Sequence, residues 1–346
     1  MQPLASEAFA RLSQWLTQEA GIENARPGPL LAGGNANVTQ LIESDSGRFV
    51  LRHPPVIAIS DKAAAGIARE HKALVALQGQ APVPRPVAWC DDPSVIGQSF
   101  SVIEWLDGVS LTTHLPASYD STASAADHVS ALGRAMIQGL AAVHRADCAS
   151  RLPDRFGQPD LFVARQVERW LDQRAADQVR PLPLLQEIAD WLLANRPDCQ
   201  HASLIHCDFH LDNCLVDKGQ PRLLGILDWE MATLGDPLID LGLCLFFWQR
   251  NPEHALGFAH VQALTNRPDI IPAAALADLW AELTGFDQRH LGYYTVFAAW
   301  RLAAIVEGAF VAHRRGLDDR DYARNLEHDV PNLLQEAAKH IDRGAI

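Results

Sequence analysis

The sequence predicts an α+β fold in two lobes, a small antiparallel sheet followed by a larger helical part. Three observations predict it. Residues 30–105 alternate short strand-like runs with turns and hold a single helical stretch. From Asp107-Gly108 onward the apolar residues recur with helical period. One hairpin, dense in oxygen-bearing side chains, interrupts those helices between Leu204 and Glu230. A chain of 346 residues is long enough for a core in each part, and the composition shift places the lobes at 1–106 and 107–346.

The elements follow in order. Leu4, Phe9, Leu12, Trp15 and Leu16 give helical spacing over 4–20, and Gly21 to Pro29 reads as a linker. Leu30 to Ile42 reads as strand, glycine turn, strand, with Gly33-Gly34-Asn35 in the turn; Arg48 to Arg52 is the next strand. Ser60 is placed to cap a helix running to Leu77. Val87 to Cys90 and Gln98 to Trp105 read as two more strands, parted by a polar turn at Asp91-Asp92-Pro93. Helical period then covers 124–146, 160–172 and 182–195, and, beyond the hairpin, 236–249, 252–265, 274–285, 287–314 and 319–341. Asp236-Pro237 is a helix-start dipeptide.

The hairpin carries the chemistry. Asp208 stands five positions before Asn213, and a second apolar run ends in Asp228. A carboxylate and an amide at one spot suit a hard divalent cation that phosphate oxygens also hold. A second carboxylate slightly off the metal suits proton abstraction from a hydroxyl. Zinc is a rival reading, since His206, Cys207, His210 and Cys214 are four N/S donors in one stretch; the usual C-x-x-C pair is missing.

His206-x-Asp208-x-x-x-x-Asn213 followed by Ile226-Leu227-Asp228-Trp229 resembles the catalytic loop and metal-binding segment of the aminoglycoside phosphotransferase and choline kinase group. The run from Leu227 through Thr233-Leu234-Gly235-Asp236-Pro237 to Asp240-Leu241 is similar to the subfamily related to the kinase domain found beside some acyl-CoA dehydrogenases. The resemblance implies a protein-kinase-like fold and ATP-dependent phosphoryl transfer to a small molecule's hydroxyl, with Mg2+ and with GTP left open as donor. It implies Asp208 as catalytic base, Asn213 and Asp228 as metal ligands, and structural roles for His206, Asp236 and Asp240. In the nucleotide lobe it implies a phosphate-covering turn at Gly33, Gly34 and Asn35. It also implies a phosphate-binding cation paired with a helix acid, and a hinge whose backbone at Glu104 and Leu106 meets the base. The cation is Arg52 where the wider fold has Lys, and its partner is Glu70.

The acceptor side is read from the long helix at 287–314. Trp300 and Glu307 are seven apart and share a face, and Arg301 in an apolar run requires a partner. These three, with His210, are the candidate acceptor residues. Arg301 suits an anionic group such as a carboxylate, and a structural ion pair is the alternative. The resemblance points to a hydroxy acid or its thioester as acceptor; an aminoglycoside is the alternative, and a non-catalytic nucleotide-binding protein and a metal-dependent hydrolase are two further ones.

Composition narrows the classes. With 29 basic against 42 acidic residues the net charge is −13, which disfavours nucleic acid or an anionic membrane as partner. No uncharged apolar run reaches the ~18 residues of a membrane span. The N-terminus has no basic stretch of a leader, and six scattered cysteines read as reduced thiols, so a cytoplasmic location is expected.

Overall fold

The computed structural model describes residues 3–31, 37–55, 61–120, 122–153, 156–248 and 263–344. The first helix, α1 (Ser6–Ala20), is closed by Gly21 in the left-handed conformation (φ 64°), whose N–H returns to Leu16 O. Strands β1 (Arg26–Leu30), β2 (Val38–Ser44) and β3 (Gly47–His53) come next. Helix α2 (Asp61–Leu77) leads to β4 (Pro86–Cys90), the one-turn helix α3 (Pro93–Ile96) and β5 (Phe100–Glu104). The five strands form one antiparallel sheet in the order β1-β2-β3-β5-β4.

Two sequence expectations fail here. The stretch read as a linker feeds β1, which pairs with β2 from Arg26 opposite Glu43 to Leu30 opposite Gln40. Its prolines are tolerated because β1 is an edge strand, where a missing N–H costs no ladder bond. The polar turn at Asp91-Asp92-Pro93 opens α3, with Asp92 Oδ1 accepting from Ser94 N at 2.8 Å. Ser60, Gly33, Gly34, Asn35 and the greater part of the helix expected at 252–265 lie outside the described residues.

Strand alternation decides what each sheet face meets. Phe49 and Leu51 of β3 point toward α1 and join Phe9, Leu12 and Leu16 in one apolar cluster. Val50 points the other way, into the cluster shared with Ala73, Leu74 and Leu77 of α2. Arg52, two residues on, therefore faces α2 as well.

The second part begins with β6 (Val109–Ser110) and α4 (Ala125–Arg145), the latter started by a reciprocal Ser124–Asp127 capping box. Helices α5 (Phe162–Asp177) and α6 (Pro183–Ala194) precede β7 (Ser203–Ile205). The hairpin strands β8 (Cys214–Val216) and β9 (Leu223–Ile226) add to β6, while β10 (Thr233–Gly235) pairs with β7. Then follow α7 (Leu238–Phe246), α8 (Ala273–Thr284), α9 (Leu291–Arg314) and α10 (Asp321–Asp342). An antiparallel sheet lobe thus precedes a helical lobe, the arrangement of a protein-kinase-like fold.

Helix α9 is the axis of the helical part. By length and composition it could cross a membrane, yet it packs among α5, α6, α7 and α10 with two thirds of that stretch buried, as the core helix of a domain does. Its approach to α7 is backbone to backbone at Gly242, where a Cβ would lie 2.9 Å from the Tyr294 carbonyl. All six cysteines are free and five are buried.

Candidate active site

The catalytic-type loop runs from β7 into β8. Asp240, on the first turn of α7, holds it from below: Oδ2 accepts from His206 N at 2.6 Å and Oδ1 from Cys207 N at 2.7 Å. Asp236 caps the same helix by accepting from Leu238 N at 2.9 Å, although the N-cap position falls on Pro237, one residue later than the sequence suggests. Cys207 adopts φ 67°, a left-handed conformation that an ordinary side chain disfavours by about 1–2 kcal/mol. Its N–H is held by Asp240, and its carbonyl accepts from Arg301 Nη1 at 2.7 Å. The residue before Asp208 is therefore gripped through both of its backbone polar groups.

Asp208 itself projects into a cleft, its side chain 45% exposed. Burial raises its pKa, but the bond and charge of His210, and the charges of His206 and Arg301, outweigh that and hold it at about 2. For His210, burial works downward and is outweighed by Asp208, so the ring's pKa is raised. Asn213 donates Nδ2 to Asp208 O (2.8 Å) and Oδ2 (3.2 Å), which turns its amide oxygen away from that carboxylate.

The second segment is tied to the first. Leu227 N donates to Asn213 O at 2.8 Å, and His206 Nε2 lies 2.7 Å from Leu227 O, so Asp228 is set beside Asn213. Asp228 too has φ 67°. Trp229 is fully buried and donates its indole N–H to Ile226 O, anchoring the turn.

Arg52 reaches this turn from the sheet. Its Nε is 2.8 Å from Glu70 Oε2 and its Nη2 is 3.0 Å from Asp228 Oδ1. The pair expected from sequence is formed, and it extends to Asp228. Glu230, present in the motif but given no role from sequence, completes the cluster and accepts from Asn37 Nδ2 at 2.5 Å. Sequence offered no route to Asn37, which is 193 positions away. Burial pushes Glu70 up to about 7 against the pull of Arg52, with Asp228 and Glu230 adding to the rise. Glu230 is raised by burial first and then by Asp228. Three carboxylates thus surround one guanidinium, an excess of negative charge that a divalent cation would relieve.

The donor set fits such a cation. Asp228 and Asn213 offer hard oxygens, the kind magnesium takes. Among the described residues no three His, Cys, Asp or Glu side chains gather as a metal site by themselves. That suits an ion which brings part of its coordination with phosphate. It removes the zinc reading: the His206 ring is engaged with Leu227 O, and burial pushes the Cys207 and Cys214 thiols well up.

In the segment expected to serve as hinge, Glu104 turns its carboxylate to Arg85 N (2.7 Å), and Leu106 O accepts from Gly108 N (2.9 Å). Those two groups are engaged within the protein, which narrows what either residue offers a ligand.

The four acceptor candidates divide. His210 and Arg301 sit at the catalytic-type loop. Trp300 and Glu307 do not, and both are corrected. Trp300 is fully buried, with its indole N–H on Leu185 O at 2.8 Å. Glu307 is buried against Arg180, which donates Nε to Oε1 at 3.0 Å and Nη2 to Oε2 at 2.5 Å. They share a helix face as their spacing requires, but that face meets the helical core. Arg301 lies on another face, which lines a cavity of about 150 Å³ with Asp208, Leu243, Phe297, Leu302 and Ile305. Arg301 is 5% exposed and has no carboxylate partner among the described residues. The structural ion pair held open for Arg301 is therefore absent there, and a backbone carbonyl takes its place.

The profile of the "Phosphotransferase enzyme family" matches residues 28–285. The acyl-CoA dehydrogenase family member 11 of Rattus norvegicus is 30% identical over 289 residues, which are 82% of this chain and 36% of the relative. The chain thus spans about a third of the length of such relatives. A solved Ralstonia eutropha protein, assigned provisionally as an aminoglycoside phosphotransferase, superposes with a TM-score of 0.74 at 26% identity, covering 97% of this chain and 99% of that one. The ternary complex of streptomycin, ATP and the phosphotransferase APH(2")-IIa gives a TM-score of 0.59 at 18% identity, covering 98% and 99%.

Proposed function

This chain belongs to the phosphotransferase enzyme family, and we propose that it is an ATP- and magnesium-dependent kinase of a small hydroxylated carboxylic acid or its thioester. The observation that carries the acceptor reading is the cavity shared by Asp208 and Arg301. Apolar side chains line most of it, together with a carboxylate kept ionised and a buried guanidinium that has no ion-pair partner among the described residues. A buried lone charge is costly, so an anionic group arriving with the substrate is favoured. A polycationic aminoglycoside would meet apolar walls and a cation there. A thioester would offer its carbonyl to the same guanidinium.

In this reading the acceptor's hydroxyl lies against Asp208, which orients it and takes its proton as the new oxygen–phosphorus bond forms. The bond from the γ-phosphorus to the bridging oxygen breaks, and ADP leaves. Phosphoryl transfer asks the protein chiefly for positioning and charge stabilisation. Asp208 serves as base while already ionised at neutral pH, and Asn213 keeps its carboxylate in place. Asn213 and Asp228 would hold magnesium, which when bound neutralises charge on the phosphate oxygens. Arg52 binds phosphate oxygens, and Glu70 fixes the direction of its guanidinium. The backbone around Glu104 and Leu106 receives the base.

The test is a phosphate-transfer screen over hydroxy acids, their thioesters, plain alcohols of matching length and aminoglycosides, with Asp208→Asn as blank. Transfer to hydroxy acids or thioesters, absent from the blank, supports the reading. Preference for the aminoglycosides would overturn its acceptor half.

A further inference from the structure

Helix α2 carries Glu70, yet its place is set from the helical part. Arg69, the residue before Glu70, makes the link. Its Nη1 donates to Ala232 O at 2.9 Å and to Phe156 O at 3.2 Å. One nitrogen with two hydrogens thus joins two carbonyls from separate segments. The guanidinium also lies over the Phe156 ring, 5.1 Å from its centroid. Both anchors are firm. Ala232 is fully buried, and its N–H returns to Trp229 O, closing the one-turn helix Trp229–Met231 that follows Asp228. Phe156 is buried too, and its carbonyl also accepts from Thr233 Oγ1 at 3.1 Å. The C-terminal end of α2 is tied separately: Arg151 Nη1 donates to Ala76 O at 3.3 Å, and just beyond it Asp147 N donates to Gln80 Oε1 at 3.0 Å. That end is a pivot. Glu70 stands about 9 Å along the helix from Ala76, so a tilt of about 6° would carry it about 1 Å.

We infer that Arg69 is a positioning residue for the nucleotide site: it locks α2 to the turn that carries Asp228, and so fixes where Glu70 meets Arg52. The inference rests on the reading of Arg52 and Asp228 as partners of the nucleotide and its metal. Arg52 is held between two carboxylates that arrive on different segments, Glu70 on α2 at 2.8 Å and Asp228 on the turn at 3.0 Å. Its guanidinium keeps one direction only while those two segments keep their spacing. Arg69 is level with Glu70 on α2, and its bond to Ala232 O reaches the same turn four residues after Asp228. A tilt of α2 that lengthened the Glu70 contact by about 1 Å would break that hydrogen-bond geometry. The same tilt would first have to part Arg69 from two carbonyls and an aromatic face. Arg69 therefore acts on the nucleotide through Glu70, without touching it.

The experiment measures, by calorimetry on the full chain without acceptor, the affinity for a non-hydrolysable ATP analogue with magnesium. Arg69→Met removes the charge and both bonds. Arg69→Lys keeps a charged nitrogen but loses the planar face on Phe156. Each is made in the parent and in a Glu70→Gln background. The expected result is affinity about tenfold weaker for Arg69→Met and about threefold weaker for Arg69→Lys in the parent. In the Glu70→Gln background, where Arg52 has already lost its charged guide, both changes should weaken affinity by less than about twofold. A residue that merely supported the fold would weaken binding by the same factor in both backgrounds, and that outcome would overturn the inference. So would an affinity within about twofold of the parent in folded Arg69→Met. If Arg69→Met does not fold, the Arg69→Lys cycle decides alone. Arg52→Ala is the control: unchanged affinity in that variant would remove the nucleotide-site reading, and this inference with it.

Discussion

The two ends of the cleft are built on different principles. At the nucleotide end, polar groups from β3, α2 and the β9 turn converge on one another: Arg52 on Glu70 and Asp228, Asn37 on Glu230. At the acceptor end a single buried guanidinium, Arg301, faces apolar walls and has one backbone carbonyl as its bond. The first end is a network whose members hold each other before any ligand arrives. The second keeps a charge in reserve. A network tolerates one conservative change, because the remaining members keep their geometry. A reserved charge does not, because in the proposed function its partner is the anionic group that arrives with the acceptor.

That contrast can be broken or sharpened by substitution. The largest effect is expected where both ends meet: Asp208→Asn should lower turnover by about 10³-fold while nucleotide affinity, read by calorimetry, stays near the parent's. Retained turnover would reject Asp208 as base. Asp228→Ala should weaken magnesium-dependent nucleotide affinity by about 10²-fold, and an unshifted metal titration would count against its ligand role. Arg301→Met should raise KM for a hydroxy acid by about 10²-fold but leave the KM of a plain alcohol of equal length nearly unchanged. Equal changes for both acceptors would mean that Arg301 only braces the loop through Cys207. Arg52→Lys, inside the network, should raise nucleotide KM by only about tenfold. Trp300→Phe should change kinetics least and cost about 2 kcal/mol of stability in denaturant titration, since it leaves the Leu185 carbonyl without its donor.

The pH profile adds a sign. The Asp208 carboxyl lies below its ordinary value, at about 2, so its contribution to stability is complete above its unfolded value near pH 4 and is lost as pH falls through about 2. As a base it is ionised across the neutral range, so kcat should carry no acid limb from Asp208 above about pH 4. A limb at higher pH that moved with an Asp208→Glu change would contradict this.

What the sequence made legible follows from range. Asp208, Asn213 and Asp228 lie within one hairpin, so spacing alone brings them together. Arg52 and Glu70 needed only strand alternation and one helix face. Strands β2 to β5 and most helices were readable for the same reason, though not the order of the strands in the sheet. In α9 the reading was half right. It saw that Arg301 needs a partner and that Trp300 and Glu307 share a face. It could not see that this shared face points at Leu185 and Arg180 and away from the cleft. Nothing local in α9 distinguishes the two faces, because both are apolar. Arg180 lies in a connection with no pattern of its own, and Trp280 and His144 meet across 136 positions. Contacts of that kind exist only once the helices have packed. The prolines of β1 hid a strand because their cost depends on its being at the edge, which is a property of the sheet.

The missing side chain at Gly242 has a consequence for inheritance and for engineering. Because α7 and α9 touch through their backbones there, the helix that carries Asp240 and the helix that carries Arg301 form one mechanical piece. A new acceptor preference therefore cannot be grafted by exchanging α9 alone, since any shift of its axis would be felt at the Cys207 peptide. The natural unit of exchange between family members is the α7–α9 pair together, with the loop that both helices hold.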